Sequence, residues 1–165
     1  MKRSRVATVV IVGSLAAFGM TSCAGRGQMG QMGMGGKVEP REAVAQRQRL
    51  MKLHGGLWKD IQEKAKAGNI EGIEPSAEAL ALNASRIPAL FPEGSVTETS
   101  KAKPEIWQKW PEFQAAAKNL ETWSERLRDA AKSKNAEQTQ SVVKDFGRNA
   151  CGTCHTPFRV PPPRT

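Results

Sequence analysis

Beyond residue 37, apolar positions recur with the 3.6-residue period of helices that bury one face. Val44, Met51, Trp58 and Ala65 stand seven apart, and Leu50, Leu57 and Ile61 fill the same stripe. With Pro40 tolerated at the start and Gly68-Asn69 as a stop, this predicts a first helix from about Val38 to Ala67. A second fits about Ser76 to Phe91, after Pro75, with Leu80, Ala84, Ile87 and Leu90 on one side; Pro88 should kink or fray its end. The polar, turn-rich stretch 92–105 reads as a long loop. A third helix from about Pro111 to Lys134 buries Phe113, Ala117, Leu120, Ser124, Leu127 and Ala131. A fourth, from about Ala136 to Arg159, uses Val142, Val143, Phe146 and Ala150. Four amphipathic helices with mostly short links imply an all-α, antiparallel up-and-down four-helix bundle over residues 38–160, followed by a Pro-rich tail at 161–165.

The first residues follow a different pattern. Lys2, Arg3 and Arg5 precede an apolar stretch from Val6 to Met20, which is too short for a comfortable membrane span and reads as a secretory signal. It ends in Met-Thr-Ser-Cys, resembling the bacterial lipoprotein cleavage box although Met20 stands where that box prefers Leu. The expectation is a lipoprotein-type signal peptide over 1–22 with Cys23 as lipid acceptor; ordinary cleavage nearby and an uncleaved anchor are the alternatives. The Gly/Met-rich stretch up to residue 37, with Met29, Met32 and Met34, reads as a flexible tether. These features predict a periplasmic protein held to a membrane by lipid, and the lack of Asp after Cys23 leans towards the outer membrane.

Composition agrees with helices. Ala, Lys, Glu, Gln and Leu dominate after residue 40, and β-branched runs are scarce. There are 25 Lys+Arg against 16 Asp+Glu, and removal of Lys2, Arg3 and Arg5 leaves 22 against 16, a surplus of six. Basic and acidic residues interleave along the helices, which argues against nucleic-acid binding. The surplus keeps the protein soluble and could steer it towards acidic redox partners.

The chemistry lies in Cys151-Gly-Thr-Cys154-His155. Two thiols at this spacing can each add across a haem vinyl group, with the adjacent imidazole reaching the iron. At about 100° per residue, Cys151, Cys154 and His155 share one face of an α-helix. A zinc site would need a fourth ligand, for which the only other histidine is His54. A thiol-disulfide oxidoreductase would place the cysteine pair after a strand, and no strand pattern is present. The pattern therefore predicts one covalent haem c on Cys151 and Cys154, with His155 on the metal.

With these residues in view, the chain resembles a class II c-type cytochrome, the cytochrome c′ family, over about residues 38–160. CGTCHTPFR (Cys151–Arg159) is similar to the family's ending, KPEIW (Lys103–Trp107) to the approach to its third helix, and RQRLMKLHGG (Arg47–Gly56) to its first helix. The resemblance implies a four-helix bundle and a sixth-ligand position four residues after Arg47. Met51 occupies it, implying low-spin His/Met ligation and a one-electron carrier serving periplasmic or membrane redox proteins, with no enzymatic transformation. A one-position slip would put Leu50 there and restore the family's five-coordinate, NO- or CO-binding form. His54 is a rival ligand, and Met51 alone could be core filling. Arg47 and Arg159 are implied near the cofactor, Arg47 at a propionate and Arg159 on the proximal side. Pro157 departs from the pattern and should kink or shorten the last helix. The family is often dimeric through its first two helices, so a homodimer is among the expectations. A third reading, from outside the family, is a zinc-stabilised helical lipoprotein.

Overall fold

The structure is a computed structural model that describes residues 38–162. The signal, Cys23 and tether expectations lie outside these residues, as does the end of the Pro-rich tail. Among the described residues no helix is long and apolar enough to cross a membrane.

The chain forms α1 (Pro40–Lys66), α2 (Glu74–Ala84), the short α3 (Glu105–Gln108), α4 (Trp110–Lys132), α5 (Ala136–Phe146) and α6 (Thr153–Phe158). Helix α1 packs on α2 and α5, and α4 packs on α2 and α5, which closes the four-helix bundle. The fold is the expected all-α, antiparallel up-and-down bundle. No β-strand forms among the described residues; the nearest approach is an isolated antiparallel bridge between Ala102 and Arg159.

Chain geometry sets where the elements stop. After α1, Gly68 takes a positive φ of 73°. Its N–H donates to Ala65 O and that of Asn69 to Lys64 O, so the last carbonyls of the helix are satisfied. Helix α2 ends at Ala84, seven residues short of the expected Phe91. Pro88 has no N–H to give Ala84 O, and its ring crowds that carbonyl. The chain continues as a 3₁₀ turn at Pro88–Leu90.

The fourth expected helix is one rod in three parts. Between α5 and α6 lies a π-helical turn, Gly147–Gly152. Helix α6 then stops at Phe158, and Arg159 is already extended. This is the early ending expected from Pro157, which cannot donate to Thr153 O.

Phe113, Phe146, Ile61, Ile73, Leu80, Ile106 and Leu127 form the fully buried centre. Each large apolar side chain buried in this way contributes about 1.5–3 kcal/mol. Aromatic contacts tie the layers together. Trp58 of α1 stacks on Phe146 of α5 at 4.8 Å, and Phe113 of α4 meets Phe158 of α6 edge-on at 5.4 Å. The tryptophans are packing residues: Trp107 donates its indole N–H to Phe91 O and Pro92 O, and Trp110 lies against Phe113.

Candidate functional site

At one end of the bundle a cavity of about 410 Å³ opens between α1, the crossover segment before α3, and α6. That volume lies within the range of cofactor sites. Helix α1 contributes Arg47, Gln48 and Met51, and the C-terminal rod contributes Cys154, His155, Phe158 and Arg159. The crossover supplies Ile87, Phe91, Thr99, Lys101 and Ala102. Met51, His155, Cys154, Arg47 and Arg159 thus share one cavity although Met51 and Cys154 stand more than a hundred positions apart in the chain.

Local structure explains this gathering. The π turn makes i→i+5 hydrogen bonds, so carbonyls near it need other donors. Asn119 of α4 donates its side-chain N–H to Asn149 O at 2.5 Å, and the Thr153 hydroxyl donates to Asn149 O and Ala150 O. Cys151 lies in the π turn, whereas Cys154 and His155 lie in α6. The 100° per residue used to place all three on one face therefore does not hold across Gly152. Below the site, the last turn is tied to the crossover: Lys103 N–H donates to Phe158 O at 3.0 Å, and Val160 N–H to Lys101 O at 2.8 Å.

Both cysteines are free thiols, half-buried against the core. Burial pushes the Cys151 thiol up, and burial with Cys151 beside it pushes Cys154 up to about 11. They are therefore neutral at pH 7, and Cys154 lines the cavity. For His155, burial followed by the positive charge of Arg159 lowers the pKa, which favours the neutral imidazole needed of a metal ligand.

Three residues of α1 compete for the sixth-ligand position, and they are placed differently. Met51 is half-buried and lines the cavity. Leu50 faces the core. His54 is 8% exposed, is absent from the cavity wall, and its Nε2 has no hydrogen-bond partner among the described residues. Burial, with a smaller push from His155, lowers its pKa to about 4.

Arg47 is placed in a way the sequence did not suggest. It is 5% exposed, and burial lowers its pKa. Nη1 donates to Ser95 Oγ at 2.8 Å and Leu90 O at 3.3 Å; Nη2 donates to Ser95 O at 2.6 Å and Ser100 Oγ at 2.8 Å. Its Cζ also lies 4.5 Å from the centroid of the Phe91 ring. Arg47 borders the cavity, but these donors are spent on the crossover. Arg159 and Lys101 are exposed at the cavity and form no ion pair among the described residues. Sequence reading overlooked Ser95, Ser100 and Asn119. A fully buried serine in a polar loop has no periodic signal, and Asn119 sits among ordinary helix-surface residues.

The donor set suits haem c. Two neutral, non-disulfide thiols stand three positions apart, Cys154 on the wall of an apolar cavity and Cys151 packed against the core, with an imidazole next to Cys154. Among the described residues the cavity wall carries arginine and lysine but no carboxylate, which matches a flat apolar ring with two acidic arms.

Comparison with known proteins points the same way. Residues 42–159 match the family model described as Cytochrome C'. Cytochrome c-556 of Agrobacterium fabrum is 30% identical over 128 residues, which covers 76% of this chain and 82% of that protein. The crystal structure of cytochrome c' from Thermochromatium tepidum superposes with a TM-score of 0.69 at 25% identity, covering 76% of this chain and all of the other. A nitric oxide complex of a cytochrome c prime variant from Alcaligenes xylosoxidans, 22% identical, shares the fold with a TM-score of 0.67, covering 76% of this chain and 98% of that one. The chain belongs to the cytochrome c′ family and is a monohaem c-type cytochrome carrying covalent haem c.

Proposed function

We propose that this cytochrome is a one-electron carrier with haem joined to Cys151 and Cys154 and with His155 and Met51 as axial ligands. The observation that carries this reading is the placement on α1: of Met51, Leu50 and His54, Met51 alone lines the cavity shared with Cys154 and His155. Haem iron supplies the redox chemistry by passing between its ferric and ferrous forms, and thioether ligation favours the ferrous one. The chain's own residues do the rest. Met51 fills the position an exogenous ligand would need. Ile87, Phe91, Phe113 and Phe158 keep the cavity apolar, while Arg159 and Lys101 lend positive charge to its rim beside Arg47. The protein transforms no substrate in this reading. It is exported through residues 1–22, held to a membrane through Cys23, and serves periplasmic or membrane redox proteins.

The test is the optical spectrum of the reduced protein with and without CO. A sharp low-spin α-band that CO leaves unaltered is expected, together with a new CO complex in Met51→Ala. A broad high-spin spectrum that CO transforms in the wild type sinks the ligation. Intact mass should also show one added haem.

The second reading is a five-coordinate protein that takes NO or CO. The Alcaligenes xylosoxidans protein, captured with nitric oxide, favours it by fold likeness. The zinc-stabilised alternative is weaker, since no three His, Cys, Asp or Glu side chains among the described residues converge as metal ligands.

A further inference from the structure

The crossover at 86–102 provides five of the residues that line the cavity, yet beyond a three-residue 3₁₀ turn its own backbone closes only isolated short turns. A segment with so little backbone pairing of its own is held by what reaches it from outside. Its far end is tied by the Ala102–Arg159 bridge and its middle by the Trp107 indole. On the α1 side the anchors are Arg47 and its neighbour Gln48, whose side-chain N–H donates to Thr99 O at 3.0 Å. Arg47 stands one turn before Met51, so the residue that fills the open side of the site and the residue that fixes its wall share one helix.

The Arg47 site is built for this task. A buried guanidinium is costly unless its donors are met. Here four hydrogen bonds converge from three crossover residues, and the Phe91 ring covers the cation. No carboxylate pairs with Arg47 among the described residues, so the contacts are neutral and directional. Ser95 is fully buried by the arrangement, and its N–H closes a turn on Pro92 O at 3.1 Å. Phe91, held by the same guanidinium, lines the cavity directly.

We propose that Arg47 is a positioning residue that bolts the crossover segment to α1 and thereby sets which exogenous ligands can reach the sixth-ligand side of the site. This rests on the haem reading above but not on the identity of the sixth ligand. Where the sixth position is open, the closed bolt lets small diatomics pass and excludes bulkier ligands. With it open, Phe91 and Thr99 move away and the size limit relaxes.

The experiment uses the haem-loaded full chain in whichever background binds CO: wild type, Met51→Ala or His54→Leu. Which of these binds CO reports on the axial ligand, so a failure there is separate from a failure of the bolt. Two changes are compared in that background. Arg47→Met removes the fork, and the pair Ser95→Ala with Ser100→Ala keeps the cation but removes two acceptors. Stopped-flow association is measured for CO and for n-butyl isocyanide, with amide hydrogen exchange over 91–101 as a second readout. Opening should speed isocyanide association by about tenfold, equivalent to about 1.4 kcal/mol, in Arg47→Met. CO should gain much less, the serine pair should move in the same direction, and exchange should quicken in both variants. The proposal is overturned if isocyanide association stays within about threefold of the background, a change of under 1 kcal/mol. Equal acceleration of both ligands, or unchanged exchange, also overturns it. So does an effect confined to Arg47→Met with the serine pair at the background rate, because that pattern belongs to a charge effect on the cofactor's acidic arms.

Discussion

His54 is a buried imidazole whose Nε2 has no partner among the described residues, with a pKa of about 4 against 6.5 for an exposed histidine. Its folded pKa is depressed, so as pH falls from about 6.5 to 4 the unfolded chain takes up a proton that the folded chain refuses. Stability therefore drops over that window and recovers as pH rises through it. The full difference is at most about 3 kcal/mol. His54→Leu should remove this slope and raise the denaturant midpoint at pH 5 more than at pH 8, since an apolar group leaves no unmet donor or acceptor. An identical pH profile for the two proteins would refute the assignment. Arg47 teaches the complementary lesson. Its spacing from Met51 is legible in RQRLM, and both residues line the cavity. Its bonding partners were not legible, because Ser95 and Ser100 lie about fifty positions away in a loop without periodicity.

At the scale of elements, periodicity located α1 and α4 to within two residues at each end, because both are long, amphipathic and capped by chain geometry. It failed where backbone chemistry overrides side-chain pattern. Leu80, Ala84, Ile87 and Leu90 do share a helical face, but Pro88 ends α2 at Ala84. The π turn in the C-terminal rod is invisible in the sequence as well, since the donor that meets its Asn149 carbonyl is the Asn119 side chain on another helix. The end of α4 makes a sharper case. Lys134 adopts φ 58°, the left-handed region that disfavours a Cβ, so that its N–H and that of Asn135 can close on Ala131 O and Ala130 O. Its exposed ion pair with Glu71 offers little in return. Lys134→Gly should therefore stabilise the protein by about 1 kcal/mol, read as a higher urea midpoint at unchanged slope. A lower midpoint would show that the ion pair matters more than the backbone.

At the scale of the whole molecule, the cofactor and the core are hard to separate. The cavity is walled by Ile87, Ile106, Phe113 and Phe158, of which Phe113 and Ile106 also belong to the fully buried centre. If no haem were attached, the end of the bundle would have to collapse or take in water. At about 24 cal/mol per Å³ of unfilled apolar space, 410 Å³ corresponds to an upper bound of about 10 kcal/mol. Openness to solvent reduces that figure, but a fraction of it already matters against the total stability of a domain this size, about 5–15 kcal/mol. Helices α1, α4 and α5 are amphipathic in their own right, so the chain should still collapse. Cys151→Ser with Cys154→Ser should thus give a helical chain with near-native far-ultraviolet dichroism, weak near-ultraviolet dichroism, dye binding and a broad thermal transition. Unfolding should regain sharpness only when haem is bound. A cooperative transition within a few degrees of the haem-bearing protein would mean that the bundle closes on its own side chains, and that the cavity is a preformed socket rather than a part of the core supplied by the cofactor.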